Sequence, residues 1–363
     1  MNVPKIRFNG FEEEWQENKL CDIARITMGQ SPNSENYTNN SNDTLLIQGN
    51  ADLNNGKVIP RLFTKQVTKT CDKNDIIMTV RAPVGDIAIS DYNACIGRGV
   101  CSIKSSKFVY HYLDYLKMQD YWKKVSKGST IDSITSDDIK SLLIKIPNKK
   151  EEEKIIKTID LINKIIELQT KKIENLKLFT KKIFNETIKG KEYHEYRIEE
   201  LFKVSAGGDI KKENVSLVKN DIYCYPIFSN NLENDGLYGY SNLYKIDKDS
   251  ITVTGRGDIG KALCRKQNYY PIVRLLVLIP KMELNLKFYQ ECINNLHIVK
   301  ESTGVPQLTA PQISNYKVIY PSIDFQNKIG KTIELNEKKI DLELSKLNNL
   351  LRLKKWLMQN MFV

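Results

Sequence analysis

Two stretches of the chain place apolar residues three and four positions apart, turn after turn. The first runs Ile155, Ile159, Ile162, Ile166, Gln169, Ile173, Leu176, Thr180 and Ile183. The second runs Ile329, Ile333, Asn336, Ile340, Glu343, Leu347, Leu350, Lys354 and Leu357. This heptad spacing predicts two helices of about 35 residues, each with a narrow apolar seam broken by polar side chains. A helix lying on a globular body needs a wider apolar face, so a narrow seam suits another helix. The two are expected to pair antiparallel, Ile155, Ile159, Ile162, Ile166, Ile173 and Leu176 lining one side and Ile329, Ile333, Ile340, Leu347 and Leu350 the other.

The helices close two halves of a tandem repeat. Residues 155–181 and 329–355 share twelve identities in twenty-seven positions, among them Lys157, Thr158 and Ile159 against Lys331, Thr332 and Ile333. Upstream, Leu20 to Gly29 resembles Ile198 to Gly207, Arg81 and Gly85 match Arg256 and Gly260, and Gly128, Ile134 and Thr135 match Gly304, Leu308 and Thr309. Between these anchors the halves diverge, so they share a scaffold and differ in what they present. Within the modules, short β-prone runs predict strands over 45–47, 75–80, 142–146, 222–228, 250–254, 272–279 and 316–320. Turn signals such as Asn54-Asn55-Gly56 and Asn234-Asp235-Gly236 separate them. One helix per module is expected, over 109–118 and 286–295. The fold class is therefore α+β: two mixed α/β modules, 1–148 and 191–321, separated by long antiparallel coiled-coil helices, 149–190 and 322–363, in a pseudo-twofold internal repeat.

Composition adds a partner class. At 41% hydrophobic and 27% charged, the 363 residues can bury real cores. Lys and Arg number 55 against 44 Asp and Glu, a net charge of +11 that favours a polyanion such as nucleic acid. No apolar run reaches the ~20 residues of a membrane span, and residues 1–8 lack the apolar core of a signal peptide. The seven cysteines include no Cys-x-x-Cys, and the three histidines lie far apart. The expectation is a reduced, cytoplasmic protein with no disulfide framework, no metal and no membrane contact. Lysines crowd the outward helix faces, where a solvated surface and DNA contact both remain open.

Motifs for catalysis are missing. Gly255, Gly257 and Gly260 fit Gly-x-Gly-x-x-Gly, but the following residues read as strand and turn, and no carboxylate lies between Asp258 and Glu283. Dinucleotide binding needs both a helix there and an acid ~20 residues on. The repeat suggests instead a tight turn presenting one arginine per module, Arg81 and Arg256. There is no P-loop, no nucleophile elbow, no His-Glu-x-x-His and no Pro-Pro. Glu12 to Glu14 and Glu151 to Glu153 read as charge runs, the second near a helix N-terminus, where the dipole favours acids. Tyr110, Tyr112, Tyr115, Tyr121 and Trp122 follow the spacing of a buried helix face. Tyr223, Tyr225, Tyr238, Tyr240 and Tyr244 sit among Asn and Lys, and the 238–244 set suits either strand packing or contact with a nucleic-acid backbone.

Two variable modules, each followed by a similar long helix, resemble the DNA-specificity (S) subunit of type I restriction–modification systems over essentially the whole chain. The pieces that carry this are Pro4, Arg7, Phe8, Phe11 and Trp15; the Gly29-Gln30-Ser31-Pro32 turn; Ser302-Thr303-Gly304 with Gln307-Leu308; Pro321, Phe325, Gln326 and Ile329; and the tail from Leu353 to Phe362. The halves depart at Asp132 against Gln307 and at Glu151-Glu152 against Phe325-Gln326. The resemblance implies two target-recognition domains, each reading half of a bipartite double-stranded DNA site. It implies assembly with two adenine methyltransferase subunits and, for cleavage, two ATP-driven restriction subunits. It also implies that this chain binds no cofactor, S-adenosylmethionine and ATP with Mg entering through the partners. Helices of this length span ~50 Å, enough to hold two readers about one turn of DNA apart. Candidate DNA contacts are Gln30, Ser31, Asn33, Lys65, Arg81 and Arg98 in the first module. In the second they are Lys211, Lys212, Asn230, Asn231, Tyr238, Arg256, Arg274 and Gln307. For Arg81 and Arg256 a structural ion pair is the competing role. The alternatives are an S subunit serving methylation alone, an enzyme with fused recognition domains, and a protein-binding scaffold.

Overall fold

A computed structural model describes residues 3–126, 133–190, 192–298 and 306–363. Gly128, Asp132, Ser302, Thr303 and Gly304 lie outside the described residues. The chain divides into two compact units, Met1–Thr170 with Lys346–Val363, and Lys171–Ser345. No helix among the described residues is long and apolar enough to cross a membrane.

In the first unit a six-stranded sheet runs in the order Arg25–Met28, Val100–Lys104, Ile76–Thr79, Ile87–Ile89, Lys57–Val58, Leu53–Asn54. A second sheet centres on Thr44–Ile47, paired parallel with Ala94–Ile96. Gln16–Lys19 and Leu143–Ile146 form an antiparallel pair that brings the ends of the module together. Helix Lys107–Met118 buries Phe108, Val109, Tyr112 and Leu113 in a core with Trp15, Met78 and Trp122. The 110–122 aromatics thus belong largely to the core, as their spacing predicts.

The second unit repeats the plan. Phe202–Ala206, Leu276–Pro280, Ser250–Val253 and Ala262–Arg265 form one antiparallel sheet. Tyr225–Phe228 pairs parallel with Tyr270–Pro271 in a second, and Glu195–Arg197 pairs with Lys317–Ile319. Helix Leu286–Asn294, capped by Asn285 Oδ1 accepting the Phe288 N–H at 3.0 Å, packs Phe288 and Tyr289 on the sheet. Two expected strands are shorter than their apolar runs. Val273 and Arg274 adopt φ of 53° and 59°, a turn geometry, so the run from 272 becomes a strand only at Leu276. Asn220 Oδ1 takes the N–H groups of Ile222 and Tyr223, which curls that segment and delays its strand to Tyr225.

The long helices, Lys149–Ile188 and Ile323–Met361, contain 40 and 39 residues. Each starts ahead of its seam on a cap: Asn148 Oδ1 accepts the Glu151 N–H at 3.0 Å, and Ser322 Oγ accepts that of Phe325 at 3.4 Å. Each gives its first part to one unit and its last part to the other. In the second unit Asn336 Nδ2 donates to the Leu176 carbonyl at 3.0 Å and to the Thr180 hydroxyl, while Lys172 pairs with the buried Glu343 at 3.0 Å. Falling numbers on one helix meet rising numbers on the other, so the pair is antiparallel. In the first unit Ile155 and Ile159 share a core with Met358, Met361 and Phe362, again start against end. Ile155, Ile159, Ile162, Ile173, Ile329 and Ile333 are buried; Ile166, Leu176, Ile340, Leu347 and Leu350 are half-buried.

One acidic residue differs from the sequence reading. Glu151 is a buried anchor as well as a helix-start acid: Arg7 Nε and Nη2 reach its two carboxylate oxygens at 2.7 and 2.8 Å. One position further along the repeat Gln326, the counterpart of Glu152, is buried, accepting the Asn285 N–H at 3.0 Å and donating to the Pro321 carbonyl at 2.9 Å. The departure between the halves therefore moves the buried polar anchor one residue along the helix start.

His111 is fully buried, its Nε2 3.0 Å from Asp160, which also pairs with Lys107 at 2.7 Å. Burial pushes its pKa down to about 4, against the opposing pull of Asp160. The unfolded chain, titrating near 6.5, therefore binds a proton between about pH 6.5 and 4 that the folded chain refuses, so stability falls with pH across this window. At ~1.4 kcal/mol per pH unit the loss approaches about 3 kcal/mol. Urea titrations should show His111→Gln losing less stability than the parent between pH 7 and 4.5. Equal losses would contradict this account.

Candidate nucleic-acid interface

Each module ends a central strand in the same turn. After Ile76–Thr79, the Thr79 hydroxyl donates to the Pro83 carbonyl at 2.7 Å and accepts the Asp86 N–H at 2.9 Å, and Gly85 N–H closes on the Thr79 carbonyl at 2.9 Å. After Ser250–Val253, the Thr254 hydroxyl donates to the Asp258 carbonyl and accepts the Lys261 N–H at 2.9 Å, and Gly260 N–H closes on the Thr254 carbonyl at 2.8 Å. Gly85 and Gly260 have φ of +81° and +86°, and a Cβ at either would strike Trp122 or Ile298. Only glycine fits both constraints. The turn holds Arg81, exposed, and Arg256, partly exposed, at equivalent positions. A strand, Ala262–Arg265, follows Gly260, so the glycine motif is a turn and no nucleotide-binding helix begins there.

A second arginine turn abuts the first. In the first module Gly97-Arg98-Gly99 links Ala94–Ile96 to Val100–Lys104. A Cβ on Gly99 would sit 2.1 Å from the Gln48 carbonyl oxygen, so backbone meets backbone there. The Arg98 N–H donates to Ser31 Oγ at 3.1 Å and its side chain is exposed. Val80 N–H donates to the Gly99 carbonyl at 2.9 Å, joining the two turns. In the second module Ile272 to Leu275 forms the matching link, with exposed Arg274 one position later than Arg98 in the repeat.

The first module gathers most of its candidates. Ser31, Asn33, Arg81 and Arg98 line one polar cleft of about 580 Å³, with Tyr37, Gln48 and Asn50. Gln30 lies beside it, with its backbone N–H on Ile96 and its carbonyl on the Thr68 hydroxyl. Lys65 is exposed and does not line the cleft. In the second module Gln307 precedes Leu308, whose N–H donates to the Gly255 carbonyl at 2.8 Å, which places it next to the Arg256 turn. Tyr238, Asn231, Lys211 and Lys212 are exposed; Lys211 faces Glu213 at 3.7 Å. Asn230 is engaged within the protein: its Oδ1 accepts the Gly255 N–H at 2.8 Å and its Nδ2 donates to the Val273 carbonyl at 2.6 Å. It joins the two arginine turns of its module, as the direct Val80–Gly99 bond does in the other.

Sequence reasoning missed Gln48 and Arg265. The density of Asn and Ser over 30–56 marked the loop without singling out the glutamine that follows Thr44–Ile47. Arg265 is buried 3.7 Å over the Phe228 ring and donates to Thr252 Oγ1 at 3.0 Å and the Asp235 carbonyl at 2.6 Å. Burial lowers its pKa from the usual guanidinium range. It anchors the 234–236 turn from below, and strand alternation alone did not mark it.

Residues 12–178 and 190–352 each match the family model of the type I restriction modification DNA specificity domain. The chain is 35% identical over 187 residues to a protein named as a type I restriction enzyme specificity subunit in Methanocaldococcus jannaschii, covering 49% of this chain and 44% of that one. It is 34% identical over 145 residues to a protein named as a type I specificity subunit in Mycoplasma pneumoniae, covering 40% of each. The chain thus spans less than half the length of these curated relatives. In fold it is similar to the crystal structure of a type I restriction–modification S subunit from M. genitalium, with a TM-score of 0.65, 20% identity and 99% of both chains covered.

Replacing Asn230 by Ala strands the Gly255 N–H, at a buried residue, which should cost about 1–3 kcal/mol. Asn231→Ala, at an exposed neighbour, should stay within about 0.5 kcal/mol of the parent. Chemical denaturation of both variants checks the contrast, and equal effects would remove the bridging role.

Proposed function

The chain belongs to the type I restriction–modification DNA-specificity family, and on that premise we propose that it reads a bipartite double-stranded DNA site, one half per module. The observation that carries this is the duplicated pair of arginine turns on a shared frame, Arg81 with Arg98 and Arg256 with Arg274, surrounded by loops that differ between modules. Phosphate contacts from Lys and Arg supply affinity, and side chains at the turns read base edges. The chain performs no chemistry itself. S-adenosylmethionine, and ATP with Mg for restriction, act through partner subunits in the cytoplasm.

Two methyltransferase subunits dock on the helices, and two restriction subunits join for cleavage. Support comes from apolar side chains that the antiparallel pairing leaves uncovered. Leu161 and Leu168 are 63% and 55% exposed, and their repeat counterparts Leu335 and Leu342 are 58% and 56% exposed. The same two leucines, seven residues apart, thus recur in both halves, as two identical partners require. Such exposed apolar positions mark protein contacts.

Methylome sequencing of cells carrying this chain and its methyltransferase, with and without the gene, should yield one split motif. Binding to a duplex bearing it should weaken with salt at a log–log slope of about −0.9 per neutralised phosphate. An unsplit motif, or a flat salt response, would contradict the reading.

A further inference from the structure

The cleft of the first module contains a side chain whose chemistry is unused. Gln48 follows the strand Thr44–Ile47, and its turn is fixed by Asp52 Oδ2, which accepts the N–H groups of Gln48 and Gly49 at 2.8 and 3.1 Å. The opposite turn presses against it: a Cβ on Gly97 would lie 3.3 Å from Gln48 Cα and Cγ. The backbone and Cγ are therefore held in place while the terminal amide keeps its rotational freedom, and its Nε2 is buried without a hydrogen-bond partner among the described residues. Buried amide donors are rarely left unpaired, and one at the wall of an open cleft points to an absent acceptor.

The surroundings say what kind of acceptor. Arg81 and Arg98 line the same cleft with Ser31, Asn33 and Asn50, and no carboxylate does so among the described residues. The site is rich in donors and positive. A phosphate would satisfy the arginines but offers nothing to a carboxamide oxygen. The major-groove edge of an A·T pair offers both the N7 acceptor and the N6 donor that a glutamine side chain matches, and a G·C pair offers the two acceptors that a guanidinium matches.

We propose that Gln48 and Arg98 are the base-reading pair of the first module, Gln48 for the adenine of an A·T pair and Arg98 for the guanine of a G·C pair beside it. This rests on the reading of the chain as a DNA-specificity protein. The second module cannot use the same code. Phe228 stands where Ile47 does, as shown by the Ile272 N–H on the Phe228 carbonyl and the Gly97 N–H on that of Ile47. The next residue is Ser229, whose hydroxyl lies 3.4 Å from the Gly236 carbonyl and 3.4 Å from the Asn231 N–H, a position closed within its own module.

The test is methylome sequencing of cells in which the full chain, with its methyltransferase partner, carries Gln48→Met or Arg98→Ala. Gln48→Met keeps the packing and removes the hydrogen bonds. It should relax one A·T position in one half-site, with discrimination falling roughly tenfold to a hundredfold, and leave the other half-site unchanged. Arg98→Ala removes only an exposed side chain and should relax an adjacent G·C position of the same half-site. An unchanged motif at lower overall methylation in Arg98→Ala would overturn the assignment, as would relaxation in the other half-site or at pairs of the opposite kind. If Gln48→Met fails to accumulate folded by thermal melting, the Arg98→Ala outcome decides. A parent chain with no split motif would instead sink the DNA-recognition reading, and this inference with it.

Discussion

The core of each module is closed by the end of a helix that begins in the other unit. Met358, Met361 and Phe362 complete the first core, Phe362 lying 5.4 Å from Phe108 and 5.6 Å from Tyr115 between ring centroids. Phe184 completes the second, 5.5 Å from Phe288. Burying such side chains contributes about 1.5–3 kcal/mol each. The helices are thus structural members of both modules as well as spacers between their sequences. Their seams cannot drift without opening two cores, whereas the loops around the arginine turns carry no such duty. This accounts for a repeat whose identities concentrate in the helices while the presented loops diverge.

Polar seam positions define how the helices meet. An all-apolar seam would tolerate sliding by a heptad, but Asn336 must find Thr180 and the Leu176 carbonyl, and buried Glu343 must find Lys172. A slipped register would strand a half-buried amide and a buried carboxylate, and unpaired burial is costly. Such pairs add little net stability compared with a leucine, yet they discriminate strongly between registers.

The helices, their partnership and the repeat were legible because periodicity is a property of residue order. The strands were legible wherever an apolar run was bounded by turn residues. Where reading failed, the deciding partner was distant in sequence or the geometry was local to the backbone. Val273 and Arg274 look like strand residues, and only their positive φ makes them a turn. Asn230 looks like a free loop amide until Gly255 and Val273 close on it from 25 and 43 residues away. Glu151 looks like part of a charge run until Arg7 reaches it from 144 residues upstream. Phe184 and Phe362 fall beside the heptad seam, because at the helix ends the face widens to meet a globular core, as the contrast between narrow and wide faces requires.

In the proposed reading, the arginine turns give one frame on which two readers are built. The threonine hydroxyl network is the same at Thr79 and Thr254, while the joint between turns is a backbone bond in one module and an asparagine in the other. The threonine turn is kept and the side chains around it differ, so on that reading a module can change what it recognises while keeping its frame. The most direct test is to exchange residues 196–312 for the corresponding segment of another family member and sequence the methylome of cells carrying the chimera. The account predicts a motif altered in one half only, with the other half retained. A change in both halves would contradict independent reading by two modules.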